Sequence, residues 1–503
     1  MAEEIELKLT LSPKQARNLP RHPLLAGQKP LRQRLANTYY DTPDGSLERE
    51  RIALRIRRAG RLRLQTVKTA SPSAGGFSRR NEWETPIKAE QFDFSGIDDP
   101  GLRERLNAAL PQLVARYATD FTRCTWNIQP APSNDIELAF DRGAIEAGGR
   151  RQPICEVELE SKRGDPLALF DLALRLQQDL RLHPFSASKA ERAAALLAGH
   201  HNRFRKAGPL TLEQTAPPSA AFRTIALDCL AHLQDNEALW QDGDGTEALH
   251  QMHVALRRLR SALRLFEPVL DPAFLSAQEK ASRALNQALG TARNWDILIE
   301  RVLPHFDAGE GRKNDHTLTE RCQRKRQQAR KAVATILHST EYGRFTLGLA
   351  AILYNGQHQA HREAQPASLK TFSAIRLEAL AIAAGAGMEK LAGLDAEQRH
   401  RLRIVCKELR YGSEFFASLY PPVRVRSFLS ALEHVQETLG HLNDLAVSHR
   451  MMARLGLARR FDKNVWITAQ QEKWQIQLAA AASQFLATPA PWRRTNRKKP
   501  AAA

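Results

Sequence analysis

The first 200 residues alternate between polar and apolar positions over short segments, which is the periodicity of β-strands with one buried face. Turn-forming residues such as Pro43-Asp44-Gly45 and Gly148-Gly149 separate these segments. The segments are 4–9, 52–57, 61–68, 81–85, 120–129, 135–141 and 153–161. Only residues 165–182 in this part have helical periodicity. Many antiparallel strands with few helices favour a barrel or a sandwich.

The polar faces of these strands carry charges of both signs. In the first segment Glu4, Glu6 and Lys8 share one face, and apolar residues occupy the other. One such strand is typical of a solvated sheet edge. Several strands with both signs instead predict a charged interior, that is, a closed barrel whose lumen holds a polyanion and its metal ions. The other charged faces are Arg55/Arg57, Arg80/Glu82/Glu84, Glu137/Asp141 and Glu156/Glu158/Glu160.

Beyond residue 220 the strand pattern gives way to long segments of 3.6-residue periodicity, which predict an all-α region. This region contains an internal repeat with an offset of 150 residues, and its spacing places each set of residues on one helix face. Two duplicated helical bundles are the simplest account. The matching sets are His250, His253, Arg257, Arg260 and Arg264, and His400, Arg403, Lys407, Arg410 and Glu414.

These patterns predict an α+β multidomain protein, with an eight-stranded antiparallel barrel followed by two helical bundles. We expect a barrel domain over residues 1–205 and a helical domain over residues 220–487. Prolines and glycines predict a linker over residues 206–219. The composition of residues 488–503, rich in Pro, Arg, Lys and Ala, predicts a disordered basic tail.

The formal net charge of +19 is unevenly distributed. Residues 1–200 hold 31 Lys and Arg against 26 Asp and Glu, whereas residues 201–503 hold 43 against 29. The cationic second part predicts an anionic partner. No nucleic-acid-binding motif and no apolar run of about 18 residues is found, so we expect neither a specific nucleic acid nor a membrane as partner. Five scattered cysteines and an acidic start without an apolar segment favour a cytoplasmic protein.

The residue types in the barrel half indicate phosphate chemistry. Carboxylate oxygens suit Mg²⁺ or Mn²⁺, and the barrel half has no cluster of His or Cys for zinc. Arginine forks match phosphate oxygens, so carboxylates combined with basic side chains favour metal-assisted phosphoryl transfer. No phosphate-binding loop and no nucleophile paired with a base is found. Metal-assisted attack by water is therefore the mechanism that remains. In the helical half few aromatic residues accompany the basic stripes, which favours phosphate binding over base stacking.

Residues 1–200 resemble a CYTH domain of the triphosphate tunnel metalloenzyme superfamily. Glu4-Ile5-Glu6-Leu7-Lys8 matches that family's opening signature, and Leu54-Arg55-Ile56-Arg57, Glu82-Trp83-Glu84 and Ser188-Lys189-Ala190 follow in its order. Residues 220–490 resemble a CHAD domain, a helical histidine-rich module, through the stretch from His250 to Arg260. His253 stands where that family usually has Arg. The arrangement is similar to bacterial inorganic triphosphatases of the CYTH–CHAD type.

The resemblance implies an eight-stranded tunnel that binds triphosphate and a divalent metal ion, and helical bundles that bind polyphosphate. Lys8 or Lys68 is the expected catalytic residue. The expected metal ligands are Glu4, Glu6, Glu137, Asp141, Glu156, Glu158 and Glu160. The expected substrate-binding residues are Arg55, Arg57, Arg80, Glu82, Glu84, Arg123 and Lys189. The expected polyphosphate-binding residues are His250, Arg257, Arg260, His400, Arg403, Lys407 and Arg410.

The leading hypothesis is therefore metal-dependent hydrolysis of inorganic triphosphate to pyrophosphate and phosphate, assisted by Mg²⁺ or Mn²⁺. One alternative is hydrolysis of thiamine triphosphate or a nucleoside triphosphate. Adenylate cyclase is the other activity known in this superfamily. Another is a non-catalytic scaffold that binds polyphosphate and keeps a vestigial tunnel. The complete set of charged strand faces argues against the scaffold.

Overall fold

The computed structural model describes residues 2–69, 73–88, 91–199, 204–241, 245–306, 316–358 and 368–493. The chain divides into two compact units. Unit 1 comprises Met1–Arg205, Leu230–Gly243 and Ile336–Gly356, and unit 2 comprises Lys206–Cys229, Asp244–Thr335 and Gln357–Ala503. The sequence predicts continuous domains, whereas each compact unit contains three separate stretches of the chain.

Unit 1 is built around a closed antiparallel barrel. Its strands pair in the order β5-β4-β3-β2-β6-β7-β8-β1, and β1 also pairs with β5, which closes eight strands. The short strand β9 pairs with β1 as well. The predicted eight-stranded antiparallel barrel is confirmed. The strands are β1 Ala2–Thr10, β2 Leu31–Asp41, β3 Ile52–Ala59, β4 Leu62–Thr69, β5 Phe77–Pro86, β6 Val114–Ala131, β7 Asn134–Ala147, β8 Arg150–Arg163 and β9 His183–Pro184.

All seven predicted strand segments lie in or overlap barrel strands, but the alternation does not reveal β2. The buried positions of β2 include Leu35, Asn37, Tyr39 and Asp41. Because this face mixes apolar, amide, phenolic and acidic side chains, hydrophobicity alone shows no period of two there. The predicted helical segment 165–182 contains one α-helix, Ala168–Leu176.

Short helices accompany the barrel in unit 1, together with the end of one long helix and the whole of another. The apolar residues between the charges of β1 face outward, where Leu7 and Leu9 are fully buried in a core that also includes Leu230, Leu347 and Ala350. The barrel therefore reverses the usual arrangement, with charge inside and an apolar outer wall under helices. The short helices are α1 Pro13–Ala16, α2 Ser46–Arg49, α3 Pro100–Ala109, α4 Ala168–Leu176 and α5 Lys189–Leu197.

The described residues beyond the barrel are mainly helical, as predicted. Helix α6 begins in unit 2 and ends in unit 1, and α11 belongs to unit 1. The helices are α6 Pro218–Gln241, α7 Thr246–Leu265, α8 Pro272–Ile297, α9 Leu303–Phe306, α10 His316–Leu337, α11 Thr340–Asn355, α12 Leu369–Glu389, α13 Ala396–Phe415, α14 Pro422–Arg454, α15 Ala458–Asp462 and α16 Val465–Ala487.

The internal repeat is visible in the helix boundaries. Helix α13 begins and ends 150 residues after α7, and α14 begins 150 residues after α8. Each first helix is followed by a short 3-10 turn, Glu267–Val269 or Ala417–Leu419, at the same offset. The sequence stripes of His, Arg and Lys lie on α7 and α13, the equivalent helices of the two repeats.

Two features of unit 2 bear on the sequence predictions. Residues 488–493 belong to the predicted basic tail, yet Trp492 packs edge-on against Phe428 and donates a hydrogen bond to Glu378. Residues 494–503 lie outside the described residues. Among the described residues, α12 alone meets the length and composition criteria for a membrane span, and 33% of the relevant stretch is buried. Core helices of globular proteins meet the same criteria.

Candidate active site

Strand alternation brings the predicted barrel residues to one inner surface. On this surface β1 and β5 contribute acids and bases, β3 and β4 contribute mainly bases, and β7 and β8 contribute acids. Lys68, whose facing the sequence leaves open, has its ammonium within 2.8 Å of both Glu4 carboxylate oxygens and 3.1 Å from Glu82. It therefore faces the interior.

The β1 carboxylates are held by two basic side chains. Glu4 accepts hydrogen bonds from Lys68 and from Arg80 Nε at 2.7 Å. Arg80 Nη2 also donates to Glu6 at 2.5 Å, and the Lys8 ammonium lies 3.5 Å from Glu6. Burial alone would raise the pKa of Glu4, but the charges of Lys68 and Arg80 outweigh it and hold that pKa well below its ordinary value.

A second network joins residues of β6, β7, β8 and α5. The Lys189 ammonium, at the N-terminus of α5, lies 2.7 Å from Asp141, 2.5 Å from Glu156 and 2.9 Å from Glu158. Arg123 donates to Asp141 at 2.7 Å and to Glu158 at 2.5 Å. Burial opposes ionisation of Asp141 and Glu158, yet these cations lower the pKa of both carboxyls, and the pKa of Lys189 is raised.

Lys8 joins the two networks. Its ammonium is 3.5 Å from Glu6 in the first and 3.7 Å from Glu158 in the second. Only 3% of the residue is exposed. Both distances exceed those of a hydrogen bond, so the position of this ammonium depends on its backbone and rotamer more than on a close partner.

The arginines of β3 have fewer acidic partners. Arg55 donates to the Tyr39 hydroxyl at 3.4 Å and approaches Glu82 only to 3.9 Å. Its Nε and Nη2 are buried and have no hydrogen-bond partner among the described residues. Arg57 donates to Asn37, and burial together with repulsion from Arg55 and Arg123 lowers its pKa to about 10. Arg55 and Arg57 therefore form a cationic surface with hydrogen-bond donors that no described residue satisfies.

The remaining predicted site residues of the barrel, Glu84, Glu137 and Glu160, lie in two separate places. Glu84 accepts a hydrogen bond from Thr66 at 3.2 Å and lies 3.8 Å from Arg57. Glu160 is 2.6 Å from Lys162, which is 4.0 Å from Glu137. Burial raises the pKa of Glu160, in contrast to the lowered pKa of Glu158 on the same strand. The carboxylates of β8 are therefore not equivalent.

Three carboxylates are close enough to share a cation. Ligand oxygens of Asp141, Glu156 and Glu158 lie within 4.8 Å of one another. This all-oxygen donor set fits a hard divalent cation such as Mg²⁺ or Mn²⁺. Glu4 and Glu6, predicted as ligands too, belong to the first network.

The sequence analysis did not predict several residues of the site. Arg192 donates to Glu156 at 2.6 Å from the turn of α5 that follows Lys189. Tyr39 and Asn37 face the arginines of β3 from β2. The spacing of three residues from Lys189 could have indicated Arg192, because it places both side chains on one helix face. No comparable signal exists on β2.

Basic residues also converge in unit 2, where α7 packs against α13. We call this set the α7–α13 cluster; it comprises His250, His253, Arg257, Arg293, Arg403 and Lys407. Burial and then repulsion from Arg257 and Arg403 lower the pKa of Lys407 to about 5. Burial and the same kind of repulsion lower the pKa of His250 to about 4 and that of Arg403 to about 10. Asp444 is an acidic neighbour that acts in the opposite direction.

The structure separates the predicted stripe residues into two groups. Arg257, His250, Arg403 and Lys407 belong to the α7–α13 cluster. Arg260 instead donates to Ser282 at 3.1 Å, Arg410 donates to Glu414 at 2.8 Å, and the exposed His400 contacts Asn443 at 3.0 Å. Within the cluster, Arg403 Nε and His250 Nδ1 are buried without a hydrogen-bond partner among the described residues.

A closed barrel lined with paired acids and bases, followed by a duplicated helical region, defines the class of this protein. A model of CYTH domains matches residues 2–194, and a model of CHAD domains matches residues 224–453. Together they cover more than four-fifths of the chain. The chain consists of a CYTH domain followed by a CHAD domain, as the sequence motifs predicted.

Several known proteins are similar in sequence. The inorganic triphosphatase of Haemophilus influenzae is 37% identical over 201 residues, which are 39% of this chain and 55% of the relative. The match thus spans about half the length of that relative. Two uncharacterised proteins of Mycobacterium tuberculosis are 26% identical over 416 residues, 75% of both chains.

Solved structures match each region separately. The CHAD domain from the plant Ricinus communis is 32% identical and covers 57% of this chain and 98% of its own, with a TM-score of 0.48. HpAC1 from Hippeastrum, described as having a dominant triphosphatase activity, is 20% identical and covers 39% of this chain and 96% of its own, with a TM-score of 0.31.

Proposed function

We propose that the barrel hydrolyses inorganic triphosphate to pyrophosphate and phosphate. The observation that carries this proposal is the division of the lumen into an arginine side and a carboxylate side. Arg55 presents two buried guanidinium nitrogens without hydrogen-bond partners among the described residues, next to Arg57. The carboxylates of Asp141, Glu156 and Glu158 gather elsewhere on the inner surface. A phosphate chain with its divalent cation matches both sides.

The basic residues take distinct roles in this proposal. Arg55 and Arg57 bind phosphate oxygens directly, since they have few acidic partners of their own. Arg123 and Lys189 maintain the ionised carboxylates, because each already contacts two or three of them. Asp141, Glu156 and Glu158 would hold a Mg²⁺ or Mn²⁺ ion, which when bound would supply positive charge to the phosphates and make water more acidic.

Of the two candidate lysines, Lys8 is the better catalytic residue. Lys68 makes two hydrogen bonds to Glu4 and an ion pair with Glu82, so its charge is already balanced. Lys8 has no carboxylate within 3.4 Å among its described ion pairs and lies between the two networks. An ammonium there stabilises the negative charge that develops on the leaving pyrophosphate.

The choice of inorganic triphosphate draws on the name of the Haemophilus influenzae relative. The test is release of phosphate from inorganic triphosphate, thiamine triphosphate, ATP and pyrophosphate, each with Mg²⁺ and with Mn²⁺. We expect the highest kcat/KM with inorganic triphosphate. Faster turnover of ATP or thiamine triphosphate would replace the substrate, and no release from any of them would support a non-catalytic scaffold.

We also propose that the α7–α13 cluster binds polyphosphate. The cluster brings at least four basic side chains from two helices into one place, and burial and then mutual repulsion lower the pKa values of His250, Arg403 and Lys407. A chain of phosphates would relieve this repulsion. With five free cysteines, the protein is suited to the cytoplasm, where we place this activity.

Polyphosphate binding is tested by titration at several salt concentrations, because each neutralised phosphate releases a counterion. Arg403→Ala should weaken binding clearly. Arg410→Ala is the matched control, since it removes the same charge from the same helix but from a residue paired with Glu414. Double-stranded DNA is a second control, and equal affinity for DNA at about 150 mM salt would reduce the cluster to a non-specific cationic surface.

A further inference from the structure

The backbone of Lys8 lies at a junction between two partner strands. On one side of β1, pairing with β5 ends at Leu7, and pairing with β9 begins at Leu9. Lys8 itself falls between them. Its N–H donates to the carbonyl oxygen of Gly76 at 2.8 Å, and its carbonyl oxygen accepts from the N–H of Phe185 at 3.0 Å. The position of the Lys8 backbone therefore depends on these two segments.

One buried side chain connects both segments. Gln234 of α6, which is 7% exposed, accepts a hydrogen bond at Oε1 from the N–H of Gly75 at 3.0 Å. Its Nε2 donates to the carbonyl oxygen of Pro184 at 3.3 Å. Gly75 precedes Gly76, and Pro184 precedes Phe185, so one amide contacts the neighbours of both residues that hold Lys8. The partners also fix the amide orientation, because a flipped amide would face an N–H with its own NH₂ group.

The Gly75-Gly76 turn has no room for a side chain. Gly75 has φ +66°, and a Cβ on it would lie 2.3 Å from Cβ of Ala350 in α11. Gly76 has φ +80°, and a Cβ there would lie 2.4 Å from the carbonyl oxygen of Lys8. The turn is thus in close contact with α11 on one side and with the Lys8 backbone on the other. All these residues belong to unit 1.

We propose that Gln234 is a positioning residue for Lys8. By fixing the Gly75-Gly76 turn and the end of β9, it holds the strand backbone so that the Lys8 ammonium stays between Glu6 and Glu158. Among its described ion pairs, that ammonium has no partner closer than 3.5 Å, so a small backbone shift moves it directly. The inference rests on the proposed function, in which Lys8 stabilises the leaving group. It assigns a role in catalysis to a side chain from the region that matches the CHAD model.

The test compares Gln234→Leu with wild type and repeats the comparison in a Lys8→Met background. Leucine is close in size to glutamine but forms neither hydrogen bond. We expect kcat to fall about 10-fold with KM within about twofold, because misplacing a reacting group by a fraction of an ångström has effects of this order. In the Lys8→Met background the same change should leave the residual kcat unaltered.

A matched control removes an equivalent amide elsewhere. Gln436 is buried on α14 in unit 2 and donates to the carbonyl oxygen of Cys406 at 2.6 Å. Gln436→Leu should leave kcat within about twofold of wild type, an outcome typical of a change that acts on stability alone. An equal loss of kcat in both backgrounds for Gln234→Leu, or an equal loss for Gln436→Leu, would overturn the positioning role.

A second set of variants tests the geometry without relying on activity. Gly75→Ala should lower the melting temperature strongly in wild type and less in an Ala350→Gly background, where the clashing Cβ is gone. Equal losses would show that the turn does not contact α11 and would overturn the inference. Wild-type protein that does not hydrolyse triphosphate would overturn the proposed function, and with it the catalytic role of Gln234. Hydrolysis without coupling between Gln234 and Lys8 would overturn only the inference.

Discussion

The barrel interior and the α7–α13 cluster both bury basic side chains, but they balance the charge in opposite ways. In the barrel, Arg123 and Lys189 contact several carboxylates, and the pKa values of both bases are raised. In the cluster, Lys407 and Arg403 lie among other cations, and their pKa values are lowered. The same basic residue types are therefore paired with acids in one region and surrounded by other cations in the other.

This difference has a consequence for what each region binds. A lumen that already pairs its charges gains most from a ligand that brings both signs, such as a phosphate chain with a divalent cation. A cluster of one sign gains from a polyanion alone. At Arg57 the β3 side of the barrel resembles the cluster, because burial and then repulsion from Arg55 and Arg123 lower its pKa to about 10. The pKa of the neighbouring Arg55 is instead raised, because Tyr39 and Glu82 outweigh the effect of burial. The surface proposed to bind phosphate therefore resembles the cluster at Arg57 only.

The largest expected effect concerns the paired charges of the barrel. Glu6→Gln removes one charge from a buried group that contacts Arg80 and Lys8, with almost no change in volume. We expect triphosphatase activity to fall at least ~100-fold, because Arg80 and Lys8 lose the charge that positions them in the lumen. We also expect a lower melting temperature, since breaking a buried ion pair leaves Arg80 with fewer partners.

Glu146→Gln is the control for this change. Glu146 is an exposed barrel residue that pairs with Arg151 at 3.7 Å. Surface pairs of this kind contribute roughly 0–1 kcal/mol, so both activity and melting temperature should stay close to wild type. Near-normal turnover of Glu6→Gln in saturating Mg²⁺ would contradict the role of the paired charges.

The second effect concerns protons taken up by the cluster. Burial and then repulsion from Arg257 and Arg403, with a smaller contribution from Arg410, lower the pKa of Lys407 to about 5, so it is mostly neutral at pH 7 despite Asp444 nearby. Bound phosphates return its pKa toward the ordinary value, so binding takes up a proton. Polyphosphate affinity should therefore fall as pH rises from about 6 to 9, by up to ~10-fold per pH unit for each proton taken up.

The measurement is the dissociation constant at constant ionic strength across this pH range. Lys407→Met should reduce the pH slope by about one proton, because it removes the titrating group. Affinity that does not change with pH would contradict the idea that binding relieves repulsion in the cluster.

The third effect is on stability. Between pH about 5 and the ordinary lysine value of 10.5, the unfolded chain binds a proton at Lys407 that the folded chain does not. The free energy of unfolding should therefore rise with pH in this window. Lys407→Met should raise the melting temperature at pH 6 and flatten its pH dependence. Lys325→Met, on an exposed position of α10, should do neither; a drop in melting temperature for Lys407→Met would contradict the expectation.

The sequence predicts only part of this difference between the barrel interior and the α7–α13 cluster. The alternation at Glu4, Glu6 and Lys8 predicts an inward charged face, because a strand has a period of two and the apolar neighbours need a core. The alternation cannot predict which charges pair, since the contacts of Lys189 with Asp141, Glu156 and Glu158 depend on strand register and on the start of α5. Likewise, spacing predicts a stripe on α7 and another on α13. Only the packing of these helices shows that His250, Arg257, Arg403 and Lys407 share one cluster.

The smallest expected effect comes from adding a charge to the cluster. His253 packs against Gly290, its ring carbon 3.6 Å from the position of an added Cβ, and its pKa is lowered by burial and then by Arg257 and Lys407. It is therefore neutral at pH 7, whereas its counterpart Arg403 is charged. His253→Arg should steepen the dependence of polyphosphate affinity on salt, with the slope of log K against log salt changing by about 0.7, the value for one further contact to a single-stranded polyanion. The added repulsion should also lower the melting temperature slightly.

His434→Arg adds the same charge at an exposed position of α14 and should leave the slope unchanged. Equal slopes for His253→Arg and wild type would mean that polyphosphate contacts only the Arg403 side, and that the two repeats are not equivalent in binding.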